Sequence, residues 1–376
     1  MPDTMHRSNA TGSKSFSRRS LLKAAAALPV AAAAGGLSMP AIAQGAKTVK
    51  FTLPWLANGS SLFVFVAKNQ GYFKKRGIDI AISRGFGSVA AAQAVGAGEF
   101  DYGMIFAGGT ILGAARGLPL VAMGTLGYDS TMGMTVRADS PIKEAKDLQG
   151  KKIGIVPASA EAPYWPAYVR KTNIDVSGNT MVQMDARVLE QGLVNKQVDA
   201  ITSIASSSIP TMLAMKEQCR FLPWNAVGVS LYAGQIVSTR ATLEKDKELS
   251  RAVTEAVAEG LAFALKDPEA GIDIFMKEVP EIAITKGGRD SAKVSQAMMH
   301  YTAMSKEAQS HSIGYTDMAK AAEMVDLVME FGAPKDAKKP STNELFTNEF
   351  AGTVKLTEAQ WGQVKKNVAE YIAILG

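Results

Sequence analysis

The chain has 376 residues, of which 47% are hydrophobic and 20% charged, a composition typical of a folded protein of two or three domains. The single cysteine, Cys219, excludes an intrachain disulfide and a metal site built from several thiolates, and three histidines leave little for a histidine-rich centre. The formal net charge of +6 falls to +2 without the first 43 residues, because five of the 41 basic and one of the 35 acidic residues lie there.

Those first 43 residues are typical of an export signal. Residues 1–23 are basic, residues 24–39 are mostly alanine, and Ala41-Ile42-Ala43 is a small-x-small cleavage site. The apolar stretch of about 16 residues is shorter than the roughly 20 that a membrane span needs. Residues 17–23, SRRSLLK, resemble a twin-arginine signal, and the general secretion route stays open. We expect cleavage near Ala43 and a periplasmic protein.

Strands and helices alternate through the next 80 residues. The predicted strands are Val49–Leu53, Ile78–Ser83, Tyr102–Phe106 and Pro119–Met123, and the predicted helices are Leu62–Gln70, Val89–Val95 and Ile111–Arg116. Small and polar residues precede each helix, at Asn58–Ser61, Gly85–Ser88 and Gly108–Thr110. Strand–helix alternation at this spacing predicts an α/β fold with a mostly parallel sheet.

The pattern then restarts. Predicted strands at Lys152–Val156 and Val198–Thr202 flank helices that end near Val169 and span Val188–Asn195. Leu53-Pro54 matches Val156-Pro157, and Glu99–Tyr102 matches Gln197–Ala200, in the same order along the chain. These matches indicate two lobes of similar construction, although any two strand–helix–strand units share such short patterns.

Two extended segments, Met134–Asp139 and Gly234–Thr239, are predicted to cross between the lobes. Helices follow at Ser250–Lys266, Pro268–Lys277, Ser291–Met304, Thr316–Phe331 and Glu358–Leu375. The predicted domains are therefore the signal at 1–43, the first lobe at 46–136 and 237–376, and the second lobe at 140–235. Two connections between two parallel-rich sheets make a double-strand hinge over a cleft.

Catalytic motifs are sparse. His300 and His311 have no neighbouring nucleophile motif, and we find no zinc-protease, phosphate-loop or Cys-His pattern. Gly85–Ala90 reads GxGxxA after a strand, so an exported dinucleotide- or cofactor-binding oxidoreductase is the alternative function. Against that alternative, the motif follows the second strand rather than the first, and the expected acidic residue is missing. The residues themselves predict no metal and no cofactor.

Helix N-termini and aromatic residues gather in the predicted loops. Free N–H groups at Asn58–Ser61, Gly85–Ser88, Gly108–Thr110 and Ala158–Glu161 suit a polar or anionic ligand group. The loop aromatics are Trp55, Phe86, Tyr128, Tyr164, Trp165 and Trp224, and flat side chains there would stack on a planar ring. Asp129, Glu161 and Asp185 could accept hydrogen bonds from an amine. No basic run with interleaved aromatics remains, so no nucleic-acid partner is expected.

Four short segments carry a resemblance to a known family. Gly71–Asp79 (GYFKKRGID), Ala97–Gly103 (AGEFDYG), Gly117–Ala122 (GLPLVA) and Asp147–Gly154 (DLQGKKIG) follow one another in the order of its signatures. On these segments the chain resembles the NMT1/THI5-like solute-binding proteins of ABC importers for nitrate, sulfonate, taurine and pyrimidine. The resemblance covers roughly residues 48–290.

The resemblance implies a type II periplasmic binding protein, a monomer, that closes two lobes on a small solute. It would pass the solute to an ABC permease and ATPase in the inner membrane. The implied ligand contacts are Trp55, Asn58, Gly87, Ser88, Gly108, Thr110, Ser159, Glu161, Trp165 and Ser203. Fungal relatives are pyrimidine synthases that use a cysteine-rich motif and a catalytic histidine, so with Cys219 alone no enzyme activity is expected. Because Arg84 is the sole basic residue of the cleft loops, a larger organic solute with a ring or an amine is favoured over nitrate.

Overall fold

Two five-stranded sheets form the frame of the molecule. The computed structural model describes residues 46–372, so the predicted export signal and its cleavage site at Ala43 lie outside the described residues. The first sheet contains β1 (Lys47–Thr52), β2 (Ile78–Ser83), β3 (Tyr102–Phe106), β4 (Leu120–Thr125) and β10 (Gly234–Thr239), and the second contains β5 (Met132–Arg137), β6 (Lys152–Ile155), β7 (Thr180–Gln183), β8 (Ala200–Ile204) and β9 (Cys219–Pro223).

The two sheets have the same topology. Their orders are β2-β1-β3-β10-β4 and β7-β6-β8-β5-β9, and in each the fourth strand is antiparallel to its neighbours while the remaining pairs run parallel. Asp101 Oδ2 accepts a hydrogen bond from the Lys50 N–H at 2.8 Å, and Asp199 Oδ2 accepts the equivalent bond from Lys152 at 2.9 Å. The predicted similarity of the two halves is therefore confirmed down to these side-chain contacts.

The chain crosses between the sheets earlier than the sequence pattern predicts. Met134–Asp139 and Gly234–Thr239 are not connectors, because β5 and β10 lie inside the sheets with almost every residue buried. The crossings are 126–131 and 224–233, so the predicted boundaries at 136–140 and 235–237 are displaced by a strand. The two crossings run side by side: Leu126 N–H donates to the Gly234 carbonyl at 2.8 Å, and Ala233 N–H donates to the Gly127 carbonyl at 2.9 Å.

Helices cover both sheets. They are α1 (Leu62–Asn69), α2 (Ser88–Gly96), α3 (Ala107–Ala115), α4 (Trp165–Thr172), α5 (Leu189–Val194), α6 (Ala205–Ala214), α7 (Arg240–Lys245), α8 (Lys247–Lys266), α9 (Pro268–Glu278), α10 (Pro280–Ala283), α11 (Gly288–Ala303), α12 (Lys306–Ser310), α13 (Met318–Phe331), α14 (Thr342–Leu345) and α15 (Glu358–Ile372). Helix α11 packs against α6 on one side and α15 on the other. Helix α11, from the C-terminal part of the chain, thus contacts α6, which follows strand β8 of the second sheet.

Helix α1 lies in the main apolar core. Six of its eight residues are buried, as its almost uniformly apolar sequence LFVFVAKN requires. It crosses α8 closely at Gly260, where a Cβ atom would lie 2.2 Å from the carbonyl oxygen of Phe63. On α15, the buried residues are Trp361, Val364 and Val368. These contacts fix the helices behind the first sheet.

Candidate functional site

A cleft lies at the carboxyl ends of strands from both sheets, where α/β folds bind ligands. About 480 Å³ between its lining residues is free of protein atoms, and part of that space is open to solvent. The lining residues are Pro54, Trp55, Ser60, Ser88, Phe106, Ser159, Ala160, Glu161, Leu189, Glu190, Ser203, Ile204, Ser207 and Ser208. In the first half they come from the segment between β1 and α1, from α2 and from β3. In the second half they come from the loop after β6, from α5, from β8 and from α6.

One wall of the cleft is apolar. Trp55, in the loop after β1, packs against the small apolar cluster beneath the second sheet, which includes Val156 and Leu189. Phe106 ends β3 and is buried. An indole and a phenyl ring beside a narrow space are typical of a site for a flat apolar surface.

The lining also contains two buried carboxyl groups. Glu161 Oε1 accepts hydrogen bonds from Ser159 Oγ at 2.7 Å and from Thr202 Oγ1 at 3.1 Å. Glu190 Oε1 accepts a hydrogen bond from Ser208 Oγ at 2.6 Å. Glu161 is only 2% exposed and Glu190 only 8% exposed. Hydroxyl groups therefore solvate one oxygen of each acid.

The two carboxyl groups have raised pKa values and no basic residue beside them in the cleft lining. Burial raises the pKa of Glu161 above its ordinary value despite the hydroxyl donors. Burial raises the pKa of Glu190 too, and the charge of Glu161 adds to that shift. No Lys, Arg or His is among the residues that line the cleft as described. Arg84 instead lies at the rim, with its guanidinium 5.1 Å from the ring centroid of Phe86.

Hydrogen bonds close the cleft across its mouth. Asn58 Nδ2 donates to Ser207 Oγ at 3.2 Å, and the Val89 N–H donates to the Ala158 carbonyl at 3.2 Å. Gly87 has φ +124°, and a Cβ atom built on it would lie 1.9 Å from the Ala158 carbonyl oxygen. The two halves are therefore in direct contact, and only glycine fits at position 87.

The structure brings together most of the predicted contacts. Trp55, Ser88, Ser159, Glu161 and Ser203 line the cleft, while Asn58 and Gly87 bridge its mouth. Their role in binding stays a prediction.

Gly108, Thr110 and Trp165 do not line the cleft. The predicted loop Gly108–Thr110 is helical, since α3 begins at Ala107. Gly108 lies against Tyr164, whose hydroxyl donates to the Gly108 carbonyl at 2.7 Å, and Thr110 is fully buried in the helix. Trp165 belongs to an aromatic cluster with Tyr168 and Trp224. Close packing explains these residues.

Most of the other loop aromatics and acids have structural contacts elsewhere. Tyr128 packs edge-on against Tyr232, and Phe86 is 53% exposed at the rim. Asp129 accepts hydrogen bonds at the crossings from Thr131 N–H, Asn225 and Ser230, and Asp185 pairs with Arg187. Among the aromatic and acidic residues named from the sequence, the cleft lining thus retains Trp55 and Glu161.

The GxGxxA loop is filled by protein. The Gly85 N–H donates to the Trp55 carbonyl and the Gly87 N–H to the Pro54 carbonyl, both at 2.9 Å. The Val89 amide at the start of α2 is already bonded to Ala158 across the cleft. Three of the amides that would hold a pyrophosphate, those of Gly85, Gly87 and Val89, are therefore occupied, which argues against the dinucleotide reading of this loop.

Glu190, Ser207 and Ser208 are cleft residues that the sequence patterns missed. The 98-residue offset between the matching strand starts at Tyr102 and Ala200 also maps Gly108–Thr110 onto Ser206–Ser208, at the start of the equivalent helix α6. Applying that offset to every predicted loop would have identified the two serines. Glu190 gives no such signal, because it reads as a solvated residue of an amphipathic helix.

The cysteine and the two histidines of the described residues lie outside the cleft. Cys219 is on the edge strand β9, and burial raises the pKa of its thiol to about 11. His300 is buried in α11, where burial lowers its pKa to about 3, and His311 stacks on Tyr315. Within residues 46–372, no three His, Cys, Asp or Glu side chains are grouped to hold a metal ion, and no helix has the length and apolarity to cross a membrane.

Comparisons with known sequences give distant relatives. A protein of Brucella abortus (strain 2308) named "Putative binding protein" is 22% identical over 218 residues, which cover 56% of this chain and 66% of that protein. The match thus spans slightly less than two thirds of that relative. The 4-amino-5-hydroxymethyl-2-methylpyrimidine phosphate synthase of Schizosaccharomyces pombe is 30% identical over 108 residues, 29% of this chain and 31% of the enzyme.

Solved structures share the fold over most of the chain. A protein of Bordetella bronchiseptica RB50 has a TM-score of 0.64 and 20% identity, covering 86% of this chain and 98% of its own. The periplasmic aliphatic sulphonate binding protein SsuA from Escherichia coli has a TM-score of 0.59 and 16% identity, covering 76% and 92%. The predicted type II periplasmic binding protein fold is confirmed. Residues 58–271, more than half of the chain, match the family described as NMT1/THI5 like, and the chain belongs to that family.

Proposed function

We propose that this protein is the periplasmic solute-binding component of an ABC importer. The protein is a monomer that captures a small organic solute in the cleft between its two lobes. It delivers the solute to the permease and ATPase subunits of the inner membrane. Family membership and the fold shared with the sulphonate-binding protein support this role. The twin-arginine-like signal of residues 1–43 would carry the chain across the membrane.

The observation that carries the proposal is the contact between the two halves across the cleft. Asn58 bonds to Ser207, and Gly87 admits the Ala158 carbonyl, so the walls meet around an internal space. We take the two sheets with their helices as the two lobes and the paired crossings 126–131 and 224–233 as the hinge. A solute that touches both walls binds the closed form alone and shifts the population toward it.

We propose that the protein is not an enzyme, although part of the chain is similar to a pyrimidine phosphate synthase. Cys219, His300 and His311 lie away from the cleft, and its polar lining consists of serines and two acids. The GxGxxA loop is filled by backbone contacts, so the oxidoreductase alternative has no observation in its favour.

A thermal-shift screen of the chain from residue 44 onward tests the function. The panel holds pyrimidines, aromatic amines and carboxylates, sulfonates, nitrate, amino acids and dinucleotides. A ligand that binds the native state raises the melting temperature by mass action. We expect one class of small solute to do so. A rise with dinucleotide alone would favour the oxidoreductase, and no rise with any compound, after refolding to remove a carried-over ligand, would count against solute binding.

A further inference from the structure

The two acids of the cleft have no cationic partner in the part of the chain that the structure describes. Glu161 and Glu190 line the same space, and the side-chain hydroxyls that donate to their carboxyl groups all bond to Oε1. A backbone N–H adds one neutral donor to each acid. No side-chain donor is described for the Oε2 atom of either acid. Buried acidic side chains are normally matched by a cation or by several N–H donors, because an unpaired buried charge is costly.

The hydrogen-bond donors described for the two acids are all neutral, so they do not balance the charge of an ionised carboxylate. Ser159, Thr202 and Ser208 each supply one neutral hydroxyl, and their bonds of 2.6–3.1 Å are already made to Oε1. Arg84 points at Phe86 on the rim rather than into the cleft. An anion in this space would lie beside both carboxyl groups with no positive charge among the described lining residues, which disfavours sulfonate and nitrate.

The arrangement of the other wall limits the shape of the ligand. Trp55, Phe106, Pro54 and Leu189 line the same space as the acids. A flat body between these side chains would direct a terminal group toward Glu161 and Glu190. Planar N–H groups that share a positive charge satisfy two carboxyl oxygens at once.

We propose that the solute carries a cationic nitrogen group, of the amidinium or protonated amino-heterocycle type, on a flat body, and that Glu161 and Glu190 bind that group. This inference rests on the proposed solute-binding function and names the chemistry of its ligand. The cation replaces the missing partner of the acids, while the body stacks along Trp55.

Benzamidine, benzamide and benzenesulfonate test the assignment, because they share a phenyl ring and differ in the charge of the substituent. Each is added at about 10 mM to the folded chain at neutral pH, and the melting temperature is recorded, since a bound ligand raises it by RT ln(1 + [L]/Kd). We expect a rise with benzamidine, a smaller one with benzamide and none with benzenesulfonate. Glu161→Gln and Glu190→Gln should each weaken benzamidine binding by about tenfold or more.

Glu244→Gln is the matched control, because Glu244 is exposed on α7 and far in sequence from every cleft segment. It should leave the benzamidine response unchanged. The glutamine variants keep the shape of the side chain and an oxygen that accepts the serine hydroxyls, so we expect them to fold. Their circular dichroism and ligand-free melting show whether they do.

The outcomes separate this inference from the proposed function. A rise with benzenesulfonate but not benzamidine, or a benzamidine response that persists in both glutamine variants, would overturn the cation assignment and leave solute binding intact. No response to benzamidine in a protein that binds another member of the broad panel would also overturn the assignment alone. If neither the broad panel nor the three phenyl compounds raised the melting temperature, that result would count against the proposed function.

Discussion

Gly87→Ala tests whether closure of the cleft governs binding. Gly87 faces the Ala158 carbonyl across the mouth, and its φ of +124° is a conformation that other residues rarely adopt. The added methyl carbon would lie 1.9 Å from that oxygen, where ordinary contact begins at 3.4 Å. The two walls must therefore separate by about 1.5 Å at this point to admit the methyl group.

The size of the effect follows from the contacts that this separation breaks. The Val89–Ala158 and Asn58–Ser207 hydrogen bonds, both 3.2 Å long, would be lost. At about 1 kcal/mol each, with a smaller loss from the packing of Trp55, the closed form loses about 2–3 kcal/mol relative to the open form. A ligand that binds only the closed form then loses roughly 30–150-fold in affinity.

Isothermal titration with benzamidine, or with whichever compound of the panel binds the native chain, measures this loss. Small-angle scattering with and without ligand reports whether the variant still becomes more compact. Gly98→Ala is the control, because Gly98 also has a positive φ, +79°, but nothing lies within 4 Å of its Cβ position. Both variants carry backbone strain of about 1–3 kcal/mol, and only Gly87→Ala should lose affinity.

A folded Gly87→Ala protein that binds its ligand as tightly as the native chain would refute this reasoning. The contact across the mouth would then be incidental to binding. Equal losses of affinity in Gly87→Ala and Gly98→Ala would assign the effect to general destabilisation and would also contradict a role for closure.

Three further changes probe the same structure. Trp55→Ala should weaken ligand binding by about 1–3 kcal/mol, measured by titration, because it removes the stacking surface; an unchanged Kd would place Trp55 outside the site. The pKa of Glu161 and of Glu190 is raised by burial, so the folded state holds more protons than the unfolded state above the ordinary carboxyl pKa. The stability of the native ligand-free protein relative to that of the Glu161→Gln/Glu190→Gln double variant should therefore fall as pH rises from about 4.5 toward neutrality, measured as the difference between their melting temperatures. This comparison cancels the contribution of buried His300, whose lowered pKa makes stability rise with pH over the same range, and a difference that grows with pH would contradict the assignment. Asp101→Ala and Asp199→Ala should each cost about 1–3 kcal/mol in urea unfolding, because each removes the equivalent bond to a strand amide; a cost confined to one of them would break the equivalence of the two sheets.

Local pattern was sufficient to predict the strands that are buried and bracketed by turn residues. Ile78–Ser83 and Tyr102–Phe106 have the bounds that the sequence predicts, because Gly77 and Asp101 mark their starts. The edge strand Thr180–Gln183 was missed because most of its residues are exposed and it lacks an apolar run. Helix α6 was missed because Ser206–Ser208 and Pro210 read as a loop.

The sequence was sufficient to predict which residues line the cleft where strand ends determine their position, but not where packing does. Trp55 follows β1 and Ser203 lies near the end of β8, and the carboxyl ends of these two strands meet at the cleft. Gly108 and Gly109 read as turn glycines, yet they sit inside a helix where Tyr164 and the Ser88 backbone approach too closely for a side chain. The burial of Glu190 depends on Ser208 and on the loop after β6, which no local window contains.

The position of β10 has a consequence for how the chain acquires its structure during synthesis. Strand β10 lies between β3 and β4, pairing Ile236 with both Met104 and Gly124. All strands of the second sheet, 132–223, emerge before it. Until the second half has been synthesised, β3 and β4 therefore each have an unpaired edge in the middle of the first sheet. Pairing of strands that are so far apart in sequence is typically slow. A ribosome-bound chain that stops before Gly234 would hold a complete second sheet beside an unfinished first one, and this is the stage at which a chaperone would find exposed strand edges to protect.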